Sequence, residues 1–147
     1  MTQEYISFRK WPADHAQEAY EAGFYIETLQ VLHGWIEVKL RELLHLQRAG
    51  RFKKTTDEEL ARSWNMSNEL SLSMIAKALF VAGELSEGTL DQVLQFNRTR
   101  NNIVHKLFYD PYNKEYLGVP KEEYDRAYRD GVELGYVIEN LSARRIE

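Results

Sequence analysis

At 147 residues, with 44% apolar and 29% charged side chains, the chain has the size and balance of one globular domain able to bury a core of its own. It has no Cys, which excludes disulfides and thiolate metal sites, and its net charge of −4 excludes a generally basic nucleic-acid coat. No apolar run approaches the roughly 20 residues of a membrane span, and Met1-Thr2-Gln3-Glu4-Tyr5 does not open a secretory signal, so a cytoplasmic protein without membrane contact is expected.

The pattern is helical almost throughout. From about Asp14 to Ala49 the chain predicts one long helix, because Leu29, Leu32, Ile36, Leu40 and Leu43 recur at three- and four-residue steps, widened by Trp35 and Leu44. Gly50 is its expected stop. Thr56 followed by Glu59 is a capping box for a short helix to about Trp64. Ser67, Asn68 and Glu69 are expected to open the next helix, with Leu72, Ile75, Ala76, Leu79 and Phe80 as its buried stripe and Gly83 as its interruption. Thr89 then caps a helix reaching about Phe108. Asp110-Pro111-Tyr112-Asn113 is turn chemistry. Pro120 opens a last helix carrying Tyr124, Ala127, Tyr128, Val132, Leu134, Val137 and Leu141.

No stretch combines strict alternation with β-branched residues, so no sheet is expected. The fold class is all-α: one domain over residues 1–147, a bundle of about five helices with its core between about residues 14 and 141. Gly131 and Gly135, four apart in the last helix, cost helix stability and permit a close neighbour, within the protomer or across a dimer.

Charge is uneven along the chain. Arg48, Arg51, Lys53 and Lys54 form one basic cluster, Arg98, Arg100 and Lys106 a second, and Arg144-Arg145 a third. The acids gather at Asp57-Glu58-Glu59 and Glu122-Glu123. Each cluster alone reads as a solvated helix end. A local basic cleft can still hold RNA phosphates, and Arg98 and Lys106 are the candidates beside the segment described next.

That segment is Arg100-Asn101-Asn102-Ile103-Val104-His105, which puts a guanidinium, carboxamides and an imidazole within six residues of one helix. A guanidinium can stabilise charge on phosphoryl oxygens, and an imidazole can move a proton near neutrality. Asn101 can orient a ribose or the imidazole. Together they suit cleavage of RNA, whose 2′-hydroxyl is an internal nucleophile beside the scissile phosphate. Val93, Asn97, Arg100, Val104 and Leu107 share one helix face, so Arg100 sits at the apolar stripe and requires a partner. Glu37, one turn after His33 and beside Ile36 and Leu40, is the expected partner, directly or through water.

The bare spacing of Arg and His is weak, since Arg9 to His15 and Arg98 to His105 also fit it; Arg-Asn-x-x-x-His is more demanding. His33 and Glu37, four apart, are half of a metal site without a second half, and no metal or cofactor is expected. Tyr109, Tyr112, Tyr116, Tyr124 and Tyr128 can stack bases, but core and dimer contacts are the more ordinary role.

The order of helices, and Arg100 to His105 in the penultimate long one, resemble the HEPN superfamily. The stretches Glu37-Val38-Lys39-Leu40-Arg41-Glu42-Leu43-Leu44 and Leu90 to His105 support the resemblance, which spans about Tyr20 to Leu141. It implies a bundle of four or five helices pairing as a homodimer, with Arg and His of both protomers lining one cleft that cuts RNA without metal, usually in toxins or defence effectors. By position it implies that Arg100 and His105 are catalytic, that Asn101 is the polar residue following the Arg, and that Glu37 is the acid supplied by an earlier helix. Antitoxin partners are implied for the toxins. The branch paired with a nucleotidyltransferase has Tyr two residues after the His, where this chain has Leu107. Other members are catalytically inactive, which gives the competing expectation of a helical dimer that binds a nucleotide, RNA or a partner protein.

Overall fold

A computed structural model describes residues 2–51 and 55–146; Lys53 and Lys54 of the first basic cluster lie outside the described residues. The fold is all-α with one small hairpin. Helices α1 (Pro12–Glu21), α2 (Tyr25–Arg51), α3 (Asp57–Ser67), α4 (Leu72–Val81) and α5 (Glu87–His105) precede strands β1 (Phe108–Asp110) and β2 (Glu115–Leu117), and α6 (Lys121–Ile146) closes the chain. No helix of the described residues is long and apolar enough to cross a membrane.

The single helix expected from Asp14 to Ala49 is two helices. Gly23 takes φ +85°, a region open to glycine at no steric cost. This lets Gly23 N–H donate to the Tyr20 carbonyl (3.0 Å) and Phe24 N–H to the Ala19 carbonyl (2.8 Å), which satisfies the last carbonyls of α1. Gly50, the expected stop, lies inside α2.

Thr56 caps α3 as expected, accepting from Glu59 N–H at 3.2 Å, and the helix continues past Trp64 to Ser67. The next cap is Ser71 rather than Ser67, Asn68 or Glu69; its hydroxyl accepts from Met74 N–H at 3.3 Å. Leu72, Ile75, Ala76 and Leu79 are buried, whereas Phe80 is exposed. Ser86, not Thr89, caps α5, accepting from Thr89 N–H at 3.1 Å. The helix ends at His105, short of Phe108.

The chain then forms the hairpin that the sequence pattern does not show. Three-residue strands are too short for alternation to register. Phe108 pairs with Leu117, Tyr109 with Tyr116 and Asp110 with Glu115. The expected turn at Asp110 is its loop: the Asp110 carboxylate accepts from Tyr112 N–H at 2.9 Å and from the Asn113 amide at 2.8 Å, which holds its pKa below the usual carboxylate value.

α2 is the hub, packed against α1, α3, α4, α5 and α6. Its stripe Leu29, Leu32, Ile36, Leu40 and Leu43 is buried, as the periodicity requires, with Ile75, Leu79, Val93, Ile103 and Ile138 from other helices. Burying one such side chain stabilises a fold by about 1.5–3 kcal/mol. Tyr124 stacks on Tyr25 and Tyr128 on Tyr20, whereas Tyr109, Tyr112 and Tyr116 stand outside the core.

The two α6 glycines admit neighbours within the protomer. A Cβ on Gly131 would come within 2.7 Å of Phe96 and 2.9 Å of Leu32, and one on Gly135 would overlap the Trp35 ring. That ring is held from two sides, by edge contact with Trp11 and by its indole N–H donating to Glu139 at 3.0 Å. Gly34 in α2 is the opposite case, exposed, with nothing within 4 Å of a built Cβ. The same substitution should therefore change sign. Gly135→Ala is expected to lower stability by about 1–2 kcal/mol despite better helix propensity. Gly34→Ala is expected to raise it by about 0.5–1 kcal/mol. Urea denaturation of both variants checks the pair, and equal shifts would contradict the packing described.

Candidate functional site

Along α2, Gln30, His33, Glu37 and Arg41 follow one another at three- and four-residue steps, so they form a polar ridge beside the apolar stripe. α5 faces that ridge with Asn97 and Arg100. The seam between the helices therefore carries charged groups from both, Glu37 and Arg41 of α2 and Arg100 of α5.

Arg41 is fixed first. Its Nε donates to the Ser67 carbonyl at 2.8 Å, and its Nη2 donates to the Leu70 carbonyl at 3.1 Å and to Glu37 Oε1 at 2.6 Å. It is buried and ties α2 to the junction of α3 and α4. The second Glu37 oxygen lies 3.5 Å from His33 Nδ1. Glu37 is thus engaged by Arg41 and His33, and of the two expected contacts with Arg100 the direct ion pair does not form. The competing cation sits one turn further along the same helix, held by two backbone carbonyls from elsewhere in the chain.

Arg100 takes neutral partners instead. Nη1 donates to Asn101 Oδ1 at 2.8 Å, and Nη2 donates to Gln30 Oε1. Nε is buried and has no partner. Among the described residues no carboxylate lies within ion-pair distance of this guanidinium. Arg100 is half-buried, so its charge is only partly relieved by solvent.

His33 feels that charge. Burial first, then the Arg100 guanidinium, push its pKa below the ordinary 6.5; Glu37 and a hydrogen bond with Asn97 act against the shift, and Arg41 adds to it. His33 is therefore a neutral imidazole at neutral pH. In the unfolded chain it would take up a proton below about pH 6.5, where the native state resists one, so stability should fall as pH drops through that value. Above it the penalty is absent. His33→Gln should flatten the pH dependence of the thermal midpoint between about pH 5 and pH 7; an unchanged slope would show that His33 is not held neutral.

His105 is exposed at the last turn of α5. It follows Asn101 by four residues and Arg98 by seven, which places all three toward one side of the helix. Arg100 projects from a different side, about 7.5 Å back along the axis and rotated by about 140° in an ideal helix. Asn101 stands between the two, accepting from Arg100 and lying one turn before His105. No hydrogen bond or ion pair joins His105 to Arg100 among the described residues. Arg98 and Lys106 are exposed beside His105. Leu107 is exposed as well.

The structure thus brings Arg100, His33, Glu37 and Asn101 to one seam, leaves His105 and Arg98 on its outer shoulder, and sets Lys106 at a cavity between α5 and α6 that Glu122, Glu123 and Asp130 also line. Gln30 and Arg41 were not anticipated as members of this network. Their signal is the polar repeat Gln30, His33, Glu37, Arg41 flanking an otherwise apolar helix face. His33 and Glu37 remain a pair: among the described residues no group of three or more His, Asp or Glu side chains is arranged to hold a metal ion. Compared with known proteins, the chain matches no family, no curated protein and no solved structure.

Proposed function

We propose that the chain is a metal-independent endoribonuclease of HEPN type, acting as a homodimer on cytoplasmic RNA, in the manner of a toxin or defence effector. One observation carries this reading. Among the described residues, Arg100 is a half-buried cation with only amide oxygens as partners and one buried N–H unpartnered, which is an arrangement lacking an anion. A phosphodiester supplies that charge and accepts from a planar fork of donors.

The chemistry follows from these groups. An imidazole of His105 takes the 2′-hydroxyl proton, and the 2′-oxygen attacks phosphorus. Arg100 stabilises the added charge on the phosphoryl oxygens. The bond to the 5′-oxygen breaks, and that oxygen takes a proton from a second imidazole. The products are a 2′,3′-cyclic phosphate and a 5′-hydroxyl. One protomer offers one exposed His105, at a distance from Arg100, so a twofold partner supplies the second imidazole and faces it across a shared groove. Asn101 relays position between the two groups, and Arg98 holds a flanking phosphate. An antitoxin covering this shoulder would silence the site.

A second reading keeps the fold and drops the chemistry: a helical dimer that binds a nucleotide, RNA or a partner protein. It is favoured by one observation, that no side chain among the described residues orients the His105 imidazole. The two readings separate with an RNA oligonucleotide carrying a single 2′-deoxy residue. The ribonuclease cuts everywhere but 3′ of that residue, because the nucleophile is missing there. Unselective cleavage, or none, sinks the first reading.

A further inference from the structure

We propose that the hairpin formed by β1 and β2 is a base-stacking platform that makes single-stranded RNA the ligand of this protein. The inference rests on the ribonuclease reading for its setting, though not for its test. Three tyrosines stand in solvent here: Tyr109 is 50% exposed, Tyr116 75% and Tyr112 94%. Tyr109 and Tyr116 are direct cross-strand partners, so their rings share one face of the ribbon, with centroids 5.3 Å apart. Tyr112 occupies the loop tip.

The platform is held in shape rather than loose. Asp110 fastens the loop through Tyr112 N–H and the Asn113 amide, and Lys114 adopts φ +55° to close it. At the base of β2, Gly118 lies against Tyr124 of α6 so closely that a Cβ there would overlap its hydroxyl. Leu117, on the ribbon face opposite the Tyr109–Tyr116 pair, is half-buried. The tyrosine rings therefore point away from the body on a braced ribbon, at low conformational cost to a ligand.

Charge selects the occupant. In a protein of net charge −4, the chain from Gln92 to Tyr109 has no carboxylate; Lys106 shares a cavity with Glu122, Glu123 and Asp130 of α6, so Arg98, Arg100 and His105 are the groups left to meet phosphates. Asp110 and Glu115 are cross-strand partners on the ribbon face turned away from Tyr109 and Tyr116, and Asp110 is engaged in the loop. β1 begins three residues after His105, and chain length alone keeps Tyr109 within about 14 Å of it. Phosphates on the α5 shoulder and aromatic faces on the adjoining ribbon are the two elements that bind a single strand irrespective of sequence. Duplex RNA keeps its bases stacked on one another and cannot use the rings.

The test is binding, in a His105→Ala background that leaves the RNA intact. Fluorescence anisotropy compares a labelled single-stranded oligouridylate with an abasic strand bearing the same phosphates. The parent should prefer the base-bearing strand, and Tyr112→Ala with Tyr116→Ala should weaken that strand roughly 10- to 100-fold while leaving the abasic strand unchanged. Tyr112→Phe with Tyr116→Phe should restore binding, because a phenyl ring stacks as well. Tyr112→Ala alone removes one exposed ring without touching the cross-strand pair, and a several-fold loss is expected from it. Equal affinities for parent and alanine variants overturn the platform, as does no binding to the parent. Loss of self-association with RNA affinity unchanged also overturns it and assigns the rings to a second copy of the chain. Tyrosine-dependent binding in a protein whose unsubstituted form never cuts RNA upholds the platform and refutes the ribonuclease.

Discussion

His105→Ala is expected to slow RNA cleavage by about 10²–10⁴-fold, the range for loss of a proton-transfer group. The size of the effect is interpretable because of where the residue sits. His105 is exposed in the last turn of α5 and bonds to no other side chain among the described residues, so truncation removes no packing. Stability should therefore stay within about 0.5 kcal/mol of the parent. His105→Gln should fail equally, since an amide keeps the polarity and size of the group but cannot shuttle a proton. Single-turnover cleavage beside thermal unfolding gives both numbers on one sample. A loss smaller than tenfold would remove His105 from the chemistry.

Arg100→Met is expected to move activity and stability in opposite directions. Cleavage should fall by about 10²–10³-fold, as when a donor to a developing anion is removed. Stability should rise by about 1 kcal/mol, because the substitution deletes a buried, unpartnered Nε and a partly desolvated charge that has no carboxylate beside it among the described residues. Met fills the same slot beside the apolar stripe of α2 and α5 without a donor to satisfy. Arg41 is the internal control. It bonds Glu37 and two backbone carbonyls, so Arg41→Met strands those acceptors and should destabilise the fold by about 3 kcal/mol. A structural Arg100 would behave like Arg41. Urea unfolding of the two variants therefore separates a cation held for a ligand from one held for the fold.

Much of the fold is legible in the sequence because helix burial writes a 3.6-residue period. Leu29, Leu32, Ile36, Leu40 and Leu43 announce the buried face of α2, and Leu72, Ile75, Ala76 and Leu79 that of α4. The breaks are harder to read. α1 buries only Ala13 and Ala16, side chains too small to mark where one stripe stops and another starts, so the turn at Gly23 is masked. Ser86 and Thr89 are both capping residues, and their hydroxyls bond each other at 3.0 Å; only the backbone decides which one caps. The hairpin is too short to show alternation.

At the site, helical spacing places Arg100 against α2 and sets Asn101 between it and His105. It does not reveal that, among the described residues, Arg100 pairs with no carboxylate. Glu37 is drawn to Arg41 because the Ser67 and Leu70 carbonyls, distant in sequence, lock that guanidinium beside it. Arg100 is left with Gln30 and Asn101. The sequence supplies Arg100 with a carboxylate in Glu37; among the described residues the structure withholds it, and that is what supports a phosphate as the missing anion.

The reading depends most on the reaction itself. The purified protein should be incubated with single-stranded RNA in EDTA and the fragment ends determined by mass spectrometry. Fragments ending in 2′,3′-cyclic phosphate with 5′-hydroxyl partners, absent from the His105→Ala sample, are the predicted result. Intact RNA, or fragments with 5′-phosphate ends, would contradict a 2′-hydroxyl attack assisted by His105 and Arg100, and would leave the chain as a binding protein.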